Sequence, residues 1–123
     1  MPSLERAVRQ PADALTDDSL KRLVEAREER ADLDYKIRID LSLTRDVVEL
    51  TKDIAAIANT RDGTLILGVS DGFQPVGMEL SHLDAIRIED LHSKVNTYVY
   101  PHIDDMRFKK FQMGERWFGA IYV

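Results

Sequence analysis

Glu29, Asp34 and Asp71, with Lys36 two positions beyond Asp34, are the side chains whose types and spacing could support a reaction. Two or three carboxylates offer the hard oxygen ligands that Mg2+ or Mn2+ takes, with positions left for water and phosphate. A lysine on the same face would offset charge on a scissile phosphate. The catalytic and metal-ligand candidates are therefore Glu29, Asp34 and Asp71, with Lys36 as the assisting cation. They converge only if the strands carrying Asp34 and Asp71 are neighbours. The plainer account is that these are solvated acids and turn residues on an acidic protein, and from spacing alone it stands first.

A second set lies near the C-terminus. Arg107, Lys109, Lys110 and Arg116 are interleaved with Phe108, Phe111 and Trp117. Basic side chains among aromatics on strands can bind single strands or backbone phosphates. The plainer account is a solvated outer face over a packed inner one. Lys36 and Arg38 add two further cations as candidates for contact with nucleic acid.

Other chemistries are poorly supported. Gly63, Gly68, Gly72 and Gly77 form neither a G-x-x-x-x-G-K-[ST] loop nor a G-x-G-x-x-G turn, and read as turns and bulges. His82, His92 and His102 fall in no H-x-x-x-H or H-E-x-x-H spacing, and Ser70 lacks the G-x-S-x-G context. With no cysteine there is no disulfide, thiolate metal site or cysteine nucleophile, and a cytoplasmic location is the default.

The 123 residues fit one domain with a real but modest core. A hydrophobic fraction of 44% and a charged fraction of 32% suit a soluble globular chain. No apolar run approaches the roughly 20 residues of a membrane helix, and the N-terminus has no signal-peptide pattern. The net charge of −5 opposes passive nucleic-acid binding, which draws on a basic excess. A local basic patch or a bound metal would have to compensate.

The elements that position these residues can be read in order. Residues 1–15, with Pro2 and Pro11, form a loose arm with a short helical piece at Leu4–Arg9; residues 16–123 form the domain. Thr16 caps a helix to about Glu28, with Asp17 and Asp18 suiting its dipole. Leu33, Tyr35, Ile37, Ile39 and Leu41 alternate with polar residues, the period of a half-buried strand that sets Asp34, Lys36 and Arg38 on one face. Thr44 or Asp46 opens the main core helix, which runs to about Asn59. Thr64–Val69 is almost wholly apolar, a buried strand that ends at Asp71 in a Ser-Asp-Gly turn. Residues 73–78 read as a short return strand or turn. A helix then starts between Ser81 and Glu89 and stops before Pro101. A hairpin closes the chain, with strands near 103–112 and 116–123. The apolar end at Val123 suggests a piece of a longer protein. The expected fold is α/β (α+β), a mixed sheet with packed helices in the order α-β-α-β-β-α-β-β.

These segments resemble the Schlafen AlbA-like domain family. Residues 29–36, ERADLDYK, resemble its E-x-x-x-L-E-F-K opening; residues 54–60, IAAIANT, its "sAfANT"; residues 63–71, GTLILGVSD, its "GGtLlxGVdD". Pro75-Val76-Gly77 matches its "xxvG", and Pro101 a proline after its second helix. The resemblance covers about residues 25–123. It departs from the pattern at Asp34, where the family has Glu, and at Arg61-Asp62, where a small glycine-containing turn is usual. It implies an α/β nucleic-acid-binding fold, of the kind found in Schlafen proteins and in bacterial proteins described as DNA-binding or transcriptional regulators. In Schlafen-type ribonucleases a carboxylate triad at these places supports metal-dependent cleavage of structured RNA, which maps onto Glu29, Asp34 and Asp71. That nuclease core pairs two lobes; this chain has one, and a homodimer would supply the second.

The first expectation is a DNA- or RNA-binding domain of a bacterial-type regulator or defence protein. The alternatives are a metal-dependent endoribonuclease using the carboxylate triad, and a protein-interaction or oligomerisation module.

Overall fold

The computed structural model describes residues 15–60 and 62–123. The arm expected over residues 1–15 therefore lies, apart from Leu15, outside the described residues, as does Arg61 of the Arg61-Asp62 turn. Helix α1 spans Asp17–Ala26, with the Thr16 hydroxyl accepting from the Ser19 N–H. Strand β1 spans Leu33–Lys36, helix α2 Thr44–Ala58 and strand β2 Thr64–Leu67. Two short helices follow, α3 (Leu80–Asp84) and α4 (Ile88–Val95), then the hairpin strands β3 (Arg107–Met113) and β4 (Arg116–Tyr122).

The four strands lie in the order β1-β2-β4-β3, with β1 parallel to β2 and the other pairs antiparallel. The expected mixed sheet with packed helices is present. All four residues of β2 are buried, because helices cover both faces of the sheet. On one face Leu50, Ile54 and Ile57 of α2 pack on Leu65, Leu67 and Ile121, joined by Leu83, Leu91 and Val95 of α3 and α4. On the other, Leu20 and Val24 of α1 pack on Leu33, Tyr35, Ile66 and Phe118. The even spacing of β1 thus sends Leu33 and Tyr35 under α1, and Asp34 and Lys36 to the side of α2.

The order of elements differs from the expected one in the middle of the chain. Residues 73–78 make no strand; only isolated pairings of Val69 with Pro75 and of Met78 with Trp117 remain. Pro75 has no N–H to extend a ladder. The single expected helix after it is two. Arg87 is extended (φ −103°, ψ 135°), and this break lets both Leu83 and Ile86 reach the core. Helix α4 then stops at Val95, well before Pro101, because the Asn96 side chain donates to Ile103 O (2.9 Å) and accepts from Ile103 N (2.8 Å). The realised order is α-β-α-β-α-α-β-β.

Strand β1 is also shorter than its pattern. The alternation runs to Leu41, yet pairing stops at Lys36. Its partner turns away at Gly68, whose N–H and that of Val69 both donate to Lys36 O (2.7 and 3.3 Å). Beyond that point Ile37 is 51% exposed.

Candidate functional site

The acidic corner begins where α1 stops. Arg27 adopts a left-handed conformation (φ 50°) and ends the helix, and the chain then doubles back. Arg30 and Leu33 exchange both backbone hydrogen bonds (2.9 and 3.1 Å) around Ala31 and Asp32. In that two-residue turn the next pair outward is Glu29 with Asp34. Asp34 Oδ1 also accepts from Tyr35 N (2.8 Å). Asp71 arrives from β2 through the Gly68 turn, in a loop held by Ser70 N to Gln74 O (3.0 Å) and Phe73 N to Ser70 O (2.9 Å). From α2, Asp53 pairs with Lys36 (Oδ2 to Nζ, 2.6 Å).

The electrostatics of Glu29 tie these residues together. Its pKa is raised above the ordinary glutamate value. Loss of hydration is the largest cause, followed by the Asp34 charge, a hydrogen bond with Asp34, and the charges of Asp53 and Asp71. One carboxyl therefore feels three others, contributed by β1, α2 and the loop after β2. Such a corner favours holding a proton or recruiting a cation.

The cations of the hairpin are distributed differently. Lys109 faces α1, donating to Leu15 O (2.8 Å) and pairing with Asp17 (3.1 Å). Lys110 faces α3, pairing with Asp84, and lies 6.0 Å from the Trp117 ring centroid. Arg107 pairs with Asp105 (3.6 Å), and Arg116 donates to Pro75 O (2.8 Å). Phe111 stacks on Phe118 inside the core (5.5 Å). The structure does not bring Arg107, Lys109, Lys110 and Arg116 into one cationic face, and the buried Phe111 is no stacking platform. Arg38 is exposed, has no ion pair or side-chain hydrogen bond to any described residue, and opens on a cleft of about 700 Å³ beside α3 and α4.

Residues 29–123 match the model of the Schlafen, AlbA_2 family. The chain belongs to that family. No curated protein and no solved structure matches it significantly. The family is nucleic-acid related in general terms.

The match to the Schlafen, AlbA_2 family starts at Glu29, the first residue of the corner. The carboxylate donors have the right chemistry for Mg2+ or Mn2+. Among the described residues no group of three His, Cys, Asp or Glu side chains is placed to hold one ion. The sequence reading missed Asp53. Its signal was position, since Asp53 falls three residues after Leu50 and four before Ile57, at the edge of the apolar stripe of α2. An acid there faces the sheet rather than open water.

Proposed function

We propose that this Schlafen, AlbA_2 domain binds nucleic acid, DNA or RNA, as the binding part of a cytoplasmic regulator or defence protein. The family match over residues 29–123 carries the reading. A chain of net charge −5 gains little from its overall field, so local cations must meet the phosphates. Arg38 is the best placed of the candidates, being exposed and without a partner among the described residues. Lys36 lies nearer the acids but is engaged with Asp53. The hairpin cations are engaged as well, and contribute less. The test is a salt series of anisotropy titrations with labelled tRNA, duplex DNA and single-stranded DNA. Binding at low salt that weakens with added salt, and weakens further in Arg38→Ala, is the expected result. No binding of any of the three at low salt overturns the reading.

A second reading is favoured by the convergence around Glu29: a metal-dependent endoribonuclease with Glu29, Asp34 and Asp71 as its acidic set and Lys36 facing the scissile phosphate. It requires the carboxylates to draw together around one ion. A second copy of the chain would supply the other lobe of an RNA clamp. RNA cleavage that needs Mn2+ or Mg2+, stops with chelator and is lost in Asp71→Ala supports it. Binding without cleavage, equal in wild type and variant, removes it.

A further inference from the structure

At the opposite end of β2 from the carboxylate corner, a cavity of about 690 Å³ opens where α2 ends, the loop before β3 passes and β4 finishes. Its apolar lining is made by Ala55 and Ala58 of α2 with Ile103 and Val123. Two alanines on the stripe of a core helix leave room where larger side chains would fill it. Its polar lining includes Asn59, Asp62, His102, Asp105 and Tyr122, with Asp105 also pairing with Arg107 (3.6 Å). The Asn59 side chain has no hydrogen bond to any described residue. Asp62 accepts from the Tyr122 hydroxyl (3.0 Å), which holds its carboxylate in place.

Tyr100 stands at the mouth. It is 92% exposed, and His102 meets its ring edge-on (centroids 6.4 Å apart, 76° between planes). A tyrosine normally covers much of its ring with protein. Here the ring is presented to solvent beside an apolar slot.

Among the described residues no lysine or arginine lines this cavity, and its carboxylates repel phosphate. Its apolar lining, exposed tyrosine and carboxylates suit a flat, neutral ring that stacks on an aromatic face and donates hydrogen bonds to carboxylates. Unpaired nucleobases are recognised in that way, by aromatic stacking and by hydrogen bonds along their edges. An asparagine amide can pair bidentately with adenine, and a carboxylate accepts from the amino group of cytosine. Uracil has no exocyclic amino group to offer. The geometry points to a subsite for one unpaired, amino-bearing nucleobase, stacked on Tyr100 and read by Asn59, Asp62 and Asp105. The inference rests on the nucleic-acid reading above and names which part of the nucleic acid this second site takes.

The test is anisotropy with short labelled oligo(A), oligo(C) and oligo(U) at low salt, against wild type, Tyr100→Ala, Tyr100→Phe and Asn59→Leu. Wild type prefers oligo(A) and oligo(C) to oligo(U). Tyr100→Ala weakens oligo(A) binding by roughly tenfold, the scale of one base–aromatic stack, and Tyr100→Phe retains it. Asn59→Leu narrows the difference between oligo(A) and oligo(U). Tyr100 is so exposed that its replacement leaves the fold intact, and circular dichroism verifies this. Equal binding of the three oligomers by wild type, or unchanged binding in Tyr100→Ala, overturns the base subsite while nucleic-acid binding stands. No binding of any oligomer by wild type overturns both.

Discussion

The carboxylate corner and the C-terminal hairpin invert each other. The corner's acids are scattered from residue 29 to residue 71 in sequence, yet Asp34, Asp53 and Asp71 all bear on Glu29 in space. The hairpin's cations lie within ten positions, yet they divide between faces and each has its own partner. The cause is geometric. Adjacent strand residues point to opposite faces, so a run such as Lys109-Lys110 must split. Parallel pairing of β1 with β2, and the two-residue turn before β1, bring distant residues to one end of the sheet. Proximity in sequence is a poor guide to a shared site on strands; register is a better one.

Matched glycine substitutions test the comparison most strongly. Gly68 has φ 111°, and a Cβ there would lie 2.8 Å from Phe118 Cδ2 and 3.1 Å from Gly77 Cα. Backbone strain and overpacking together make Gly68→Ala cost about 2–4 kcal/mol. Gly114, at the hairpin tip, has φ 62° but open space around it. Gly114→Ala then carries the conformational cost alone, about 1 kcal/mol. Urea denaturation of both variants reads the difference. Equal losses would mean that the corner is no more tightly built than the hairpin tip.

Removing charges gives a smaller contrast. The Lys36–Asp53 pair is about three-quarters covered, whereas Lys109–Asp17 and Lys110–Asp84 are roughly half exposed. Lys36→Met leaves Asp53 beside other carboxylates and costs about 1–2 kcal/mol. Lys109→Ala and Lys110→Ala each cost about 0.5 kcal/mol or less, as exposed pairs do. Double-mutant cycles with Asp53→Asn and Asp17→Asn separate the pair energies. A coupling at Lys109 as large as at Lys36 would erase the distinction between the regions.

Most of the fold was legible because its signals are local. The apolar run Thr64–Leu67, the heptad-like stripe of α2 and the glycine at the hairpin turn each prescribe their own element. What was illegible depended on partners. Ile37 continues the alternation of β1 in sequence and leaves the sheet because β2 turns away at Gly68. The end of α4 is set by Asn96 reaching Ile103, a contact across a loop that no helix signal announces. Glu29, Asp34 and Asp71 were picked out as candidates by residue type and then by the family motifs. Asp53 was not, since it is one of many acids on a helix until the sheet is packed beneath it.

The finest contrast is in titration. Asp34 bears on Glu29 through both its charge and a hydrogen bond, so Asp34→Asn lowers the Glu29 pKa most, Asp53→Asn less and Asp71→Asn least. Lys109→Ala on the hairpin leaves it unmoved, since β3 lies at the opposite edge of the sheet from β1. Carboxyl NMR titration of Glu29 in each variant reads the order directly. The same shift sets the sign of a stability effect. The folded state holds the Glu29 proton more tightly than the unfolded chain does, so the contribution is present below the ordinary glutamate pKa and is lost as pH rises through the raised one. At neutral pH ionised Glu29 therefore works against folding, and Glu29→Gln is the more stable protein there. Its advantage fades as pH falls through the raised value, where wild-type Glu29 becomes protonated. An advantage for Glu29→Gln that is constant across that window would place its origin outside the corner's charges.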